Sequence, residues 1–123
     1  MKTIALAFAA LTATTTAARA DPSLVPDRFW GFWRSPGGMC SATSELARGQ
    51  ILVDEGGYTS DGERNAAIRR VISTVRGRVT YDVIFSANGD REWQGRMSMR
   101  RIGARLGVTN GRNAERLYVR CRD

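Results

Sequence analysis

The sequence predicts a mainly β protein, a small antiparallel meander of about seven strands closed into a barrel or sandwich and stapled by one disulfide. Three observations carry that reading. Val79, Tyr81, Val83 and Phe85 alternate with Thr80, Asp82, Ile84 and Ser86, and Trp93, Met97 and Met99 alternate with Gln94, Arg96, Ser98 and Arg100. A period of two is the mark of a strand with one buried face. Turn signals also recur every ten or so residues, as at Asn88-Gly89-Asp90 and Asn110-Gly111-Arg112-Asn113. Finally, the two cysteines, Cys40 and Cys121, lie near the start and the end of the domain.

Residues 1–20 are set apart from the fold. Lys2 is a short charged start, Ile4 to Leu11 is an apolar run of eight, and Ala18-Arg19-Ala20 is a small-x-small cleavage pattern. The run is too short to span a bilayer, which needs ~20 apolar residues. The expectation is a signal peptide cut between Ala20 and Asp21, leaving one β-barrel domain over 21–123 with no transmembrane segment, in the periplasm or secreted.

Asp21 to Arg28 is a polar lead with Pro22 and Pro26. Phe29 to Arg34 (FWGFWR) is densely aromatic and stops at Ser35-Pro36-Gly37-Gly38. Cys40 to Gly49 is polar, with one helical turn expected from Ser44 to Arg48. Gln50 to Asp54 reads as a strand, with Tyr58-Thr59-Ser60 as its continuation beyond Gly56-Gly57.

Arg64 to Val75 is ambiguous. Ile68, Val71, Ile72 and Val75 have helical spacing, Ser60-x-x-Glu63 would cap the helix, and Gly77 would end it. Yet the stretch is β-branched and strands surround it, and Ile68 and Val71 would share one face of a strand carrying a bulge. Context tips the reading to a strand; an α+β fold with a helix near 62–75 is the alternative. Further on, phase is lost at Arg101-Ile102-Gly103, which marks a turn or bulge. Leu106 and Val108 resume the inner face. Leu117, Val119 and Cys121 are expected on one face of the last strand, with Arg116, Tyr118 and Arg120 on the other.

Removing Lys2 and Arg19 from the 19 basic residues leaves 17, all arginine, against 12 acids, a net charge of +5. The export route leads to an oxidising compartment, where Cys40 and Cys121 would pair. Without His there is no Ser-His-Asp or Cys-His device, and without Lys no Ser-Lys dyad or Schiff base. Paired cysteines leave neither a thiolate nor a zinc ligand. Asp54-Glu55 and Asp90-x-Glu92 have the residue types of a two-carboxylate glycan hydrolase. They abut glycines in expected turns, where acids are ordinarily solvated. The expectation is a protein without catalysis, metal or cofactor.

Phe29-Trp30-Gly31-Phe32-Trp33-Arg34 resembles the G-x-W opening of lipocalin-like (calycin-type) barrels, six residues matched directly along with the loose strand order. In that family the Trp closes the barrel floor and an Arg of the last strand packs across it, a cation–π contact. Trp33 matches the Trp, and Arg120 or Arg116 would be the Arg. The aromatic G-x-W strand, the early Cys and the terminal Arg-Cys are also similar to small secreted bacterial β-barrels of uncharacterised function. A periplasmic metalloprotease inhibitor family offers a related short barrel by analogy.

Trp30, Phe32, Trp33 and Trp93 are the candidate ligand contacts, since F-W-G-F-W is apolar on both strand faces. Met97 and Met99 are expected to fill the core. Arg96, Arg100, Arg101 and Arg105 cluster around one hairpin and form the candidate basic surface. The leading expectation is binding of a small amphipathic ligand in the barrel or of an acidic glycan or lipid of the envelope on the arginine-rich face. The charge would suit nucleic acid, but an exported protein does not meet it. The alternative expectation is a protein inhibitor of a hydrolase, a protease or a lysozyme.

Overall fold

The computed structural model describes residues 24–121, except 44, 61–62 and 88–90. The expected signal peptide and cleavage site, and the turn expected at Asn88-Gly89-Asp90, therefore lie outside the described residues. A short 3-10 helix at Asp27–Phe29 precedes eight strands: β1 (Gly31–Arg34), β2 (Gln50–Asp54), β3 (Gly57–Ser60), β4 (Glu63–Val75), β5 (Arg78–Ala87), β6 (Arg91–Ile102), β7 (Arg105–Asn110) and β8 (Arg116–Arg120). Each pairs antiparallel with the next, and β8 returns to β1 through Trp33↔Arg120 and Arg34↔Val119, so the barrel closes. Closure leaves few strand edges to protect.

The strand count exceeds the expected seven because Tyr58-Thr59-Ser60 is not a continuation of β2. The chain turns at Glu55-Gly56 and β3 runs back along β2, with Asp54 opposite Gly57. Gly57 has φ 139°, and its bare backbone lies against the Ala66 carbonyl, where a side chain has no room. The alternative helix near 62–75 is not formed, and β4 occupies 63–75. Its pairing with β5 shifts between Ile68 and Arg70 and again between Val71 and Ser73. Those two irregularities let β-branched residues at helical spacing sit in a strand. Ser60 caps nothing; its N–H and its hydroxyl both donate to Asn65 Oδ1 instead. The helical turn expected from Ser44 to Arg48 is absent over 45–48, where the chain bends and turns.

Inside the barrel, alternate residues of β5 (Val79, Tyr81, Val83, Phe85) and of β6 (Met97, Met99) are buried, as the period of two requires. Leu106 and Val108 join them from β7. On β8 the expected division into two faces holds, and the pairing shows which one is inside. Tyr118 pairs with Leu106 and is buried, and Arg120 pairs with Trp33, so Arg116, Tyr118 and Arg120 form the inner face. Cys121 is also buried, but outside the core.

What buries Cys121 is the segment between β1 and β2. Cys40 and Cys121 form the disulfide, joining residues 81 apart. Gln50 lies beneath this segment, 3% exposed. Its Oε1 accepts from the N–H of Ser41 (3.0 Å) and Ala47 (2.8 Å), and its Nε2 faces Cys121 Sγ at 3.8 Å. One buried amide thus organises the stapled loop. Among the described residues, no helix is long and apolar enough to cross a membrane.

Candidate functional site

The two ends of the barrel differ. At one end the 3-10 helix folds across the opening and brings Val25 and Phe29 into the core, both 0% exposed. Trp33 lies fully buried above it and donates from Nε1 to the Phe29 carbonyl at 2.9 Å. The Arg120 guanidinium stacks over the Trp33 ring at 4.3 Å and donates to the Trp30 carbonyl at 3.0 Å. Gly31 has no side chain where the Arg120 guanidinium passes, which is the local reason for glycine there. Arg101 adds a second cation 5.6 Å from the same ring and donates to the Arg28 carbonyl at 3.1 Å. Cations held over an aromatic face, each anchored to a backbone carbonyl, close the floor.

The other end stays open. Two adjoining depressions, of about 300 Å³ and about 240 Å³, share Tyr58, Asn65 and Asn110. Two consecutive strands, β3 and β4, and the distant β7 supply those residues. Asn65 is the extra residue where the β3–β4 register shifts, and Asn110 ends β7 opposite Met97. Asn110 Nδ2 donates to the Tyr58 hydroxyl at 3.0 Å. Burial pushes the Tyr58 phenol above its usual pKa, against the Asn110 hydrogen bond, so Tyr58 is a neutral hydroxyl. Asn110 Oδ1 is buried and, like the Tyr81 hydroxyl in the core, has no hydrogen-bond partner among the described residues.

Apolar and cationic groups frame this polar floor. Phe85 and Trp93 form one lip, their ring centroids 5.7 Å apart, with Trp93 47% exposed. The Phe85 ring lies against Gly95, which has no side chain to displace it. Arg112 borders the larger depression and Arg116 the smaller. The arrangement offers an aromatic face, amide groups and guanidinium groups within one opening.

The four candidate ligand contacts are not brought together. Trp33 belongs to the floor and Trp93 to the open end. Phe32 lies on the outer wall, 38% exposed. Trp30 donates from Nε1 to the Val25 carbonyl at 2.8 Å and borders a separate outer hollow with Asp54, Glu55 and Arg64. Met97 and Met99 are core, at 1% and 0% exposed.

The basic candidates also separate. Arg100 binds both Glu115 oxygens at 2.7 Å, and Arg101 serves the floor, whereas Arg96 and Arg105 are exposed. Of the carboxylate candidates, Asp54 is held by both Arg64 guanidinium nitrogens, at 2.8 and 3.0 Å, and its Oδ1 also accepts from the Gly56 N–H. Burial would raise its pKa, but the Arg64 and Gly56 hydrogen bonds outweigh that and hold it below the usual value. Asp90 falls outside the described residues. Among the described residues, no three His, Cys, Asp or Glu side chains gather into a group that could hold a metal ion.

The chain matches no protein-family model, no curated protein and no solved structure.

Proposed function

We propose that this is an exported, non-enzymatic binding protein whose open barrel end takes a small amphipathic ligand. The ligand class follows from the lining: an apolar face for Trp93 and Phe85, an anionic group for Arg112 and Arg116, and hydrogen-bonding groups for the amides of Asn65 and Asn110. The meeting of Tyr58, Asn65 and Asn110 beside the exposed Trp93 ring carries the reading. Tyr81, Met97, Met99 and Leu106 fill the middle of the barrel, so the ligand sits in the mouth rather than at the centre. The leader-like residues 1–20 and the Cys40–Cys121 bond support export. The Trp33–Arg120 stack agrees with the lipocalin-like resemblance. The Arg64 clamp on Asp54 favours binding over carboxylate catalysis.

Native mass spectrometry of protein purified from its host without detergent tests this. An adduct that leaves on unfolding, and is lost in Asn110→Leu, is the expected result. A bare mass for the wild-type chain overturns the proposal.

A second reading, inhibition of a hydrolase, rests on Met39. It is 67% exposed beside the disulfide, on a loop anchored by Gln50. A pinned loop presenting an apolar side chain suits a pre-organised plug. Stoichiometric inhibition of a lysozyme or a protease, lost in Met39→Asp, would favour it.

A further inference from the structure

We infer that the closed end of the barrel docks on an anionic lipid bilayer, leaving the open end facing away from the membrane. Of the hairpins that turn at that closed end, β2–β3, β4–β5 and β6–β7, the last two form the proposed contact. The β4–β5 hairpin turns through Arg76 and Gly77, both at positive φ, and the β6–β7 hairpin through Gly103 and Ala104.

The tips combine exposed apolar side chains with positive charge. Val75 is 61% exposed, Val71 41% and Ile102 37%. Arg69, Arg70, Arg76 and Arg78 approach the β4–β5 turn, and Arg100, Arg101 and Arg105 flank the β6–β7 turn; of these, Arg70 pairs with Asp82 and Arg100 with Glu115. Arg69, Arg76 and Arg105 are exposed, with no ion pair or side-chain hydrogen bond among the described residues. Asp27, Asp54 and Glu55 also lie toward this end, but Asp54 is bound by Arg64. Apolar tips flanked by arginines match the boundary between acyl chains and anionic headgroups.

The β4 edge argues against a strand-adding partner. Pairing of β3 with β4 stops at Gly57↔Ala67, so the later residues of β4 have a neighbour only in β5. That free edge carries both register shifts together with Arg69 and Arg70. Bulges and charges on an edge hinder pairing with another chain.

Flotation of the protein with phosphatidylglycerol–phosphatidylcholine vesicles, against pure phosphatidylcholine, tests the assignment at low and at high salt. Binding is expected to the anionic vesicles only, and to weaken as salt rises. Each arginine near the surface adds about fivefold to partitioning, so Arg76→Asn with Arg105→Gln should lower it roughly 25-fold. Asn suits the positive φ at 76, and melting curves confirm that the variant folds. Val75→Thr, which keeps the strand preference, should weaken binding by a smaller factor. Both variants share the wild-type N-terminus, so any contribution of residues 1–23 cancels. Trp93→Ala, at the opposite end, should bind vesicles like wild type. Equal binding to both vesicle types, no binding to either, wild-type binding by the arginine variant, or self-association through this end would each overturn the inference.

Discussion

Trp33 and Trp93 both point along the inner face of the barrel, one at each end. Trp33 is fully buried, hydrogen-bonded to Phe29 and covered by Arg120 and Arg101. Trp93 is 47% exposed, leaning on Phe85 with Arg91 5.8 Å from its ring. The residue type and the strand parity are the same. What differs is the cover: a 3-10 helix and two anchored guanidinium groups at the floor, and a pair of polar depressions at the mouth. Parity says which way a side chain points, but the connecting segments decide whether it becomes core or site.

The largest test of that contrast is the tryptophan pair itself. Trp33→Ala should lose about 3–5 kcal/mol of stability, the usual cost of emptying a large buried site. Trp93→Ala should lose about 1 kcal/mol or less, since it forfeits mainly one aromatic contact. Urea unfolding of the two variants measures the difference. Ligand adducts should show the opposite pattern, with Trp93→Ala losing the adduct while still folded. Similar unfolding costs for the two would mean that the mouth is structural and the contrast is wrong.

Arg120 comes next. Its stack on Trp33 and its bond to the Trp30 carbonyl make it the clasp between β8 and the floor. Arg120→Met keeps much of the apolar stem and removes the cation and the donor. A loss of about 1–2 kcal/mol is expected, with no change in binding at the mouth. A loss below a few tenths would show that the 3-10 helix alone seals the barrel.

Much of this contrast was legible from the residues. The runs of β5 and β6 were plain because each has one buried face and no irregularity. β4 was ambiguous because two register shifts break its period and leave Ile68, Val71, Ile72 and Val75 at helical spacing. Cys121 was no guide to the inner face of β8, because a half-cystine can be buried by a covering loop rather than by the core. The mouth was the least legible part. Tyr58, Asn65 and Asn110 are ordinary polar residues near turns, and only the barrel register brings them together. One local signal was present: Asn110 continues the inward phase of Leu106 and Val108, a polar residue where a core residue is due. Gln50 gave no comparable signal, because the loop that buries it comes from residues before it.

The smallest expected effect compares one ion pair at each end. Near the floor, Arg64 and the Gly56 N–H hold the Asp54 carboxyl low despite its partial burial. Toward the mouth, Glu115 lies across the bare backbone of Gly107, and the hydrogen bond and charge of Arg100 keep it below its usual value. Both pKa values are depressed in the folded protein. Their contribution is therefore complete above the unfolded carboxylate range, about pH 4, and fades as pH falls through the lower folded values. Both pairs are partly exposed, so solvent screens them and each contributes a fraction of what a buried pair would. Thermal melts from neutral pH to pH 2 should show a plateau and then a decline. Glu115→Gln and Asp54→Asn should each flatten that decline, additively if the two ends are independent. A strongly non-additive pair would mean that the ends are coupled through the barrel wall, and that a ligand in the mouth could be felt at the floor.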